Sequence, residues 1–261
     1  KGVIRVQTCH HAGMLAKSPA FELNTSEDNM SVTETDELIT ITSGDLSLEI
    51  TKLPWSMTYK HKGRVLSKSG RKDLALMKTD WKGYAYDKGD YTDTYIRQQL
   101  SMGVGELLYG FGERFTPFVK NGQSIDIFNQ DGGTSTEQSY KNIPFYVSNK
   151  GYGVFVNHPE KVSFEVGTEM VTKAEFSVEG SYLDYFFIDG PSMKDVLVKY
   201  TDLTGKPSLP APWTFGLWLS TSFTTNYDEK TVMSFIDGML DRGIPLRVFH
   251  FDCFWMKEFH W

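Results

Sequence analysis

Over the first ~190 residues apolar and polar side chains alternate in short runs, the period of a strand whose successive residues face opposite ways. Leu38 to Thr42 and Leu46 to Leu53 are β-rich runs split by Ser43-Gly44-Asp45, and Trp55 to Tyr59 leads into a turn at His61-Lys62-Gly63. The same grammar returns at Ile143 to Ser148 and Gly153 to Asn157, joined through Asn149-Lys150-Gly151, then at Val162 to Val166, Ala174 to Val178 and Leu183 to Ile188. Val3 to Gln7 is also strand-like, whereas the polar, acidic stretch from Thr25 to Asp36 reads as a solvated loop. Many short strands with Gly and Asn turns predict a mainly β fold, an antiparallel β-sandwich.

At Asp189-Gly190-Pro191 the period changes. Val196, Leu197, Tyr200 and Leu203 recur at helical spacing, Pro191 suits a first helical turn, and Gly205 is placed to end the helix. Lys206 to Pro212 carries three prolines, which stiffen a linker and forbid regular structure. Beyond it, Phe215 to Ser220 and Leu246 to Phe251 read as apolar strands. Between them lies a helix capped by Asp228 and closed by Gly243, with an apolar stripe of Val232, Phe235, Ile236, Met239 and Leu240. A strand-helix-strand unit implies a parallel pair. The predicted organisation is a sandwich over 1–205, a linker over 206–212, and two steps into a β/α barrel or open sheet over 213–261. Two strands and one helix do not cover their own apolar faces, and the chain opens on Lys1, so a piece of a longer protein is expected.

Composition narrows the function. With 27 Lys+Arg against 33 Asp+Glu, the net charge of -6 opposes nucleic acid and anionic lipid, and no apolar run approaches the ~20 residues of a membrane span. Aromatic residues reach 14%, which suits a β core and also stacking against sugars. Two cysteines, Cys9 and Cys253, make no disulfide framework, and a cytoplasmic location is expected.

For chemistry, the end of the last strand is the most suggestive segment, because reactive groups in β/α architectures sit where strands end. Asp252 stands there, and Phe223 falls beyond the end of the preceding strand. His10-His11 beside Cys9 has metal-binding atom types, but neighbours on a strand point to opposite faces, so surface histidines are the better reading. Gly110-Phe111-Gly112 and Gly151-Tyr152-Gly153 precede no capped helix and read as bulges or turns. Glu113-Arg114 reads as a structural ion pair, and the polar loop Asn129 to Glu137, with two glycines, is built to protrude.

Four strings carry a resemblance. Tyr109-Gly110-Phe111-Gly112-Glu113-Arg114-Phe115, Asn129-Gln130-Asp131-Gly132-Gly133-Thr134, Asn142-Ile143-Pro144-Phe145-Tyr146 and His250-Phe251-Asp252-Cys253-Phe254-Trp255-Met256 resemble, in order, the α-xylosidases of glycoside hydrolase family 31. That resemblance implies a galactose-mutarotase-like sandwich followed by the start of a (β/α)8 barrel, truncated at Trp261. It implies hydrolysis of terminal α-linked xylose from oligosaccharides, without metal or organic cofactor, by a protein that assembles into homo-oligomers. By the same resemblance Asp252 holds the non-reducing sugar, Phe223, Cys253 and Phe254 shape its subsite, Trp261 stands near the entrance, and Asp131 is lent to the pocket by the sandwich. Retaining glycosidases need two carboxyl groups about 5 Å apart. The family carries both on later barrel strands, so residues 1–261 are expected to be inactive alone. An α-glucosidase or transglycosylase of the same family, and a non-catalytic carbohydrate-binding or assembly module, are the competing readings.

Overall fold

A computed structural model of the chain describes residues 1–11, 22–25, 30–82, 90–130, 138–221, 225, 227–252, 255, 256 and 260. The chain divides into two compact units, Lys1–Lys206 and Pro207–Trp261.

In the first unit, β1 (Val3–Cys9) is followed by a meander of β2 (Met30–Glu34), β3 (Leu38–Ser43), β4 (Leu46–Thr51), β5 (Ser56–His61) and β6 (Arg64–Gly70). Then come β7 (Leu74–Lys82), β8 (Asp90–Ser101), β9 (Leu108–Gly112), β10 (Gln123–Ile127) and β11 (Asn142–Ser148). β12 (Tyr152–Val156), β13 (Val162–Val166), β14 (Lys173–Glu179), β15 (Tyr182–Asp189) and the helix α1 (Met193–Thr204) complete the unit. The strands form three antiparallel five-stranded sheets, ordered β1-β15-β12-β11-β9, β10-β13-β14-β8-β7 and β2-β3-β4-β5-β6.

Strand alternation explains how these sheets share one core. Tyr146, Val154, Tyr185 and Phe187 on one face of the first sheet meet Ile96, Phe164 and Phe176 of the second and Leu48 and Tyr59 of the third. Phe187 stacks on Tyr59 at 3.9 Å and on Tyr152 at 4.9 Å, so much of the aromatic content is core, each ring worth about 1.5–3 kcal/mol of burial. Two of the polar tips inside partner each other: the Tyr59 and Tyr185 hydroxyls lie 2.8 Å apart. The buried Glu106 carboxylate accepts from Ser148 Oγ (2.7 Å), Tyr152 OH (2.5 Å) and the Gly103 N–H (2.7 Å), which offsets its desolvation.

The opposite face of the first sheet presents Phe145, Val147, Phe155, Phe186 and Ile188 to α1. Covered on both sides, β15 is buried along its whole length. Ser192 caps α1 in a reciprocal capping box with Asp195. Tyr200 stacks on Phe145 at 4.0 Å, and Val196 seats so closely over Gly153 that a Cβ there would lie 2.8 Å from its Cγ1.

Three local readings need correction. The stretch read as a loop from Thr25 to Asp36 contains β2, which pairs with β3 although every residue of it is exposed; backbone pairing rather than burial holds it. Pro191 lies before the Ser192 cap, so α1 starts later than read. Phe215 to Ser220 is not one strand, because Pro212–Phe215 forms a 3₁₀ turn, with the proline in its first position, and the strand is shorter.

The second unit contains that short strand, β16 (Leu217–Leu219), then α2 (Glu229–Asp241) and β17 (Leu246–Phe249). β16 and β17 pair in parallel, as the strand-helix-strand reading requires. No described helix is long and apolar enough to cross a membrane.

Candidate functional site

The carboxyl end of β17 is where the sequence places its best candidate. β17 is held beside β16 past its last residue by the His250 N–H, which donates to the Leu219 carbonyl at 2.8 Å. The chain then runs through Phe251 to a half-buried Asp252. Its backbone N–H donates to the Tyr227 hydroxyl at 3.1 Å. Tyr227 packs its ring 5.3 Å from Phe251 and 6.5 Å from Phe249, while Phe249 and Phe251 lie 5.4 Å apart. Through this hydrogen bond Tyr227, packed on Phe249 and Phe251, fixes the backbone of Asp252 at the strand end.

Tyr227 is held in turn by the start of α2. Its neighbour Asp228 caps the helix, accepting from the Thr231 N–H at 3.0 Å and from Thr231 Oγ1 at 2.7 Å. Those hydrogen bonds keep the Asp228 carboxyl below the usual carboxylate range. On the other strand, Trp218 anchors its indole N–H to the Thr214 carbonyl at 2.9 Å, stacks near Trp213 and approaches His250 at 6.5 Å. Thr225 Oγ1 donates to Thr221 Oγ1 at 2.7 Å, joining the two ends of the segment that contains Phe223.

Of the residues read from the sequence, Asp252 stands at the strand end as expected. Phe223, Cys253, Phe254, Asp131 and Trp261 lie outside the described residues. Tyr227 was not singled out by sequence reading. Its signal was its place immediately before a helix cap, which becomes informative only once β17 is known to end beside it. Among the described residues no group of three or more His, Cys, Asp or Glu side chains could hold a metal ion, and Cys9, His10 and His11 are exposed.

The two strings read as turns have different fates. Gly151 turns the chain into β12. Gly110, Phe111 and Gly112 all have positive φ and lie opposite a register shift in β11. Arg114, read as the partner of Glu113, directs its guanidinium to the carbonyls of Phe111 (3.2 Å) and Asp126 (2.7 Å) and to Asn142 Oδ1.

The glycosyl hydrolase 31 N-terminal galactose mutarotase-like domain matches residues 1–165, and the glycosyl hydrolases family 31 TIM-barrel domain matches residues 207–261. An alpha-xylosidase of Emericella nidulans is 50% identical over 100% of this chain and 35% of its own length. The alpha-xylosidase XylQ of Lactiplantibacillus pentosus is 49% identical over 93% of this chain and 31% of its own. This chain therefore spans about a third of the length of the curated relatives it matches. In structure, a Flavobacterium johnsoniae dextranase of the family, in complex with isomaltotriose, superposes with a TM-score of 0.82 at 22% identity, over 100% of this chain and 32% of that one. With one family matched by its sandwich over 1–165 and by its barrel domain over 207–261, the chain is a member of glycoside hydrolase family 31.

Proposed function

We propose that this chain is the amino-terminal part of a retaining α-xylosidase that releases terminal α-linked xylose from oligosaccharides. The observation that supports it most is the near-50% identity to alpha-xylosidases from a fungus and a bacterium across essentially the whole chain. In this reading the sandwich of 1–205 and the linker of 206–212 precede the first barrel steps of 213–261. The two carboxyl groups of the double displacement belong to later barrel strands, so residues 1–261 alone are inactive.

Asp252 is the sugar-holding group. An ionised carboxylate accepts charge-assisted hydrogen bonds from sugar hydroxyls, about twice as strong as neutral ones, and the Tyr227 contact to its backbone keeps it aimed. Xylose differs from glucose in lacking the hydroxymethyl group on C5, so selectivity requires filling that space. On the family resemblance, Phe223, Cys253 and Phe254 are assigned to this wall, Trp261 to the entrance and Asp131 to the sugar contacts. The protein works in the cytoplasm as a homo-oligomer, in line with the free thiol at Cys9 and the family resemblance.

Variants of the full-length enzyme test the assignment. Phe223→Ala or Cys253→Ser moves the ratio of kcat/KM on p-nitrophenyl α-xyloside and α-glucoside toward glucoside by about tenfold, equivalent to ~1.4 kcal/mol. Asp252→Ala damages both substrates, because the hydroxyls it holds are common to them. An unchanged ratio accompanied by a lower melting temperature makes those residues packing and removes the wall.

A further inference from the structure

A cleft of about 260 Å³ opens on the first unit beside β10, and two strings far apart in sequence fix its walls. At the end of β9, Phe111 has φ of 69° and is held there by complete burial against Phe164 and Tyr146, while a Cβ at Gly112 would overlap the Lys141 carbonyl. This corner is the junction of β9 with β11, and just past it the Arg114 guanidinium donates to Asn142 Oδ1. Asn142 Nδ2 in turn donates to the Phe128 carbonyl (3.0 Å), Asn129 Oδ1 (3.0 Å) and the Ser139 carbonyl (2.7 Å), and the Gln130 N–H donates to the Ser139 carbonyl at 3.1 Å. Three residues that line the cleft, Phe128, Gln130 and Gln138, therefore stand on or next to backbone that this network holds in place.

What the cleft offers a ligand depends on which of its polar groups are already used. Lys161 Nζ lies 2.6 Å from Asp126 Oδ2, and Asp126 Oδ1 accepts from Ser163 Oγ at 2.6 Å, so these two charges compensate each other. Arg114 is engaged too, donating to the Phe111 and Asp126 carbonyls as well as to Asn142. The side-chain amides of Gln130 and Gln138, by contrast, make no hydrogen bond to another described residue, and each carries both donors and an acceptor. Phe128 lines the same space with 53% of its surface exposed. Compensated charges, uncommitted amides and one open aromatic ring suit a neutral molecule with hydroxyls at its rim and C–H groups on its face, which the negative face of a ring attracts. An anion would meet the Asp126 carboxylate, and a purely apolar ligand would desolvate the amides without pairing them. The volume, just under the ~300 Å³ at which pockets for drug-sized ligands begin, has room for a single sugar ring.

We propose that this cleft is a carbohydrate-binding site of the sandwich, in which one ring of a neutral saccharide packs on Phe128 and hydrogen-bonds to the amides of Gln130 and Gln138. Because the Asn142 network fixes the backbone of these residues before a ligand arrives, little ordering is lost on binding. The site stands whether or not Asp252 holds the sugar that the full-length protein cleaves.

Saturation-transfer NMR on the full-length protein, with methyl β-xyloside and cellobiose as probes, tests it in an Asp252→Ala background that weakens binding at the strand end. Saturable binding of at least one sugar is expected, with inorganic phosphate failing to compete. Phe128→Ala weakens that binding about tenfold, and Gln130→Ala and Gln138→Ala each about threefold, the loss expected for an aromatic anchor and for single neutral hydrogen bonds. Melting temperatures identify any variant that has lost its fold. Gln130 and Gln138 are exposed, so their variants keep the fold even if Phe128→Ala does not. No saturable binding of either sugar, binding that all three variants leave unchanged, or displacement of the sugar by phosphate overturns the assignment. None of these outcomes bears on Asp252, whose role is read from the activity of Asp252→Ala alone.

Discussion

A glycine at positive φ is replaceable or not according to what its missing Cβ would touch. Gly112 (φ 89°) and Gly122 (φ 82°) share a backbone conformation, but the first faces the Lys141 backbone and the second has nothing within 4 Å. Gly122→Ala therefore costs only the left-handed penalty, about 1–2 kcal/mol, while Gly112→Ala adds a collision that only a shift of β9 from β11 relieves. Urea titration is expected to separate the two by at least ~2 kcal/mol. Equal losses mean that the Gly112 corner is not the junction described. Sequence reading recognised Gly110-Phe111-Gly112 as a bulge or turn but not the strand it packs against. Gly112 pairs with Asn142 on a strand far along the sequence, and a hydrogen-bond register across a bulge is set by tertiary packing. Asp252 was legible because the rule behind it is topological: a parallel strand has a carboxyl end, and an acid there is conspicuous.

Elements that bury apolar side chains were the easiest to read, and β2, which buries none, was missed. β12, β13 and β15 announce themselves by apolar residues packed to the core, whereas β2 offers only exposed side chains and is a strand by virtue of β3 beside it. Helix caps were legible by chemistry, as at Asp228, and their pH dependence follows from the same hydrogen bonds. The Asp228 carboxyl is held below its ordinary value by Thr231. A lowered carboxylate pKa means that its contribution to α2 is fully present above the unfolded value of about 4 and is lost as pH falls through the folded value. The ellipticity at 222 nm of the 1–261 chain is expected to be weaker for Asp228→Ala at neutral pH, the gap closing below about pH 4. A gap independent of pH assigns the effect to something other than the carboxylate.

At the scale of the molecule the two units differ in how completely they bury their apolar surface. The first encloses a shared three-sheet core and covers its outer face with α1. In the second, Trp213, Phe215, Trp218, Leu240, Phe251 and Trp255 are all exposed, more apolar surface than two strands and a helix hide. Such a surface suits the opening of a β/α barrel whose remaining units supply the cover and, on the proposed function, the catalytic carboxyl pair. On that proposal this chain holds the sugar, and the bond is broken by groups of later barrel strands. The most direct test compares the purified 1–261 chain with the full-length protein on p-nitrophenyl α-xyloside, following the released sugar by NMR. The account predicts no turnover by the chain, and turnover by the full-length protein that favours xyloside over glucoside and releases xylose first as the α-anomer. Turnover by the chain alone, β-xylose as the first product, or a preference for glucoside would contradict it.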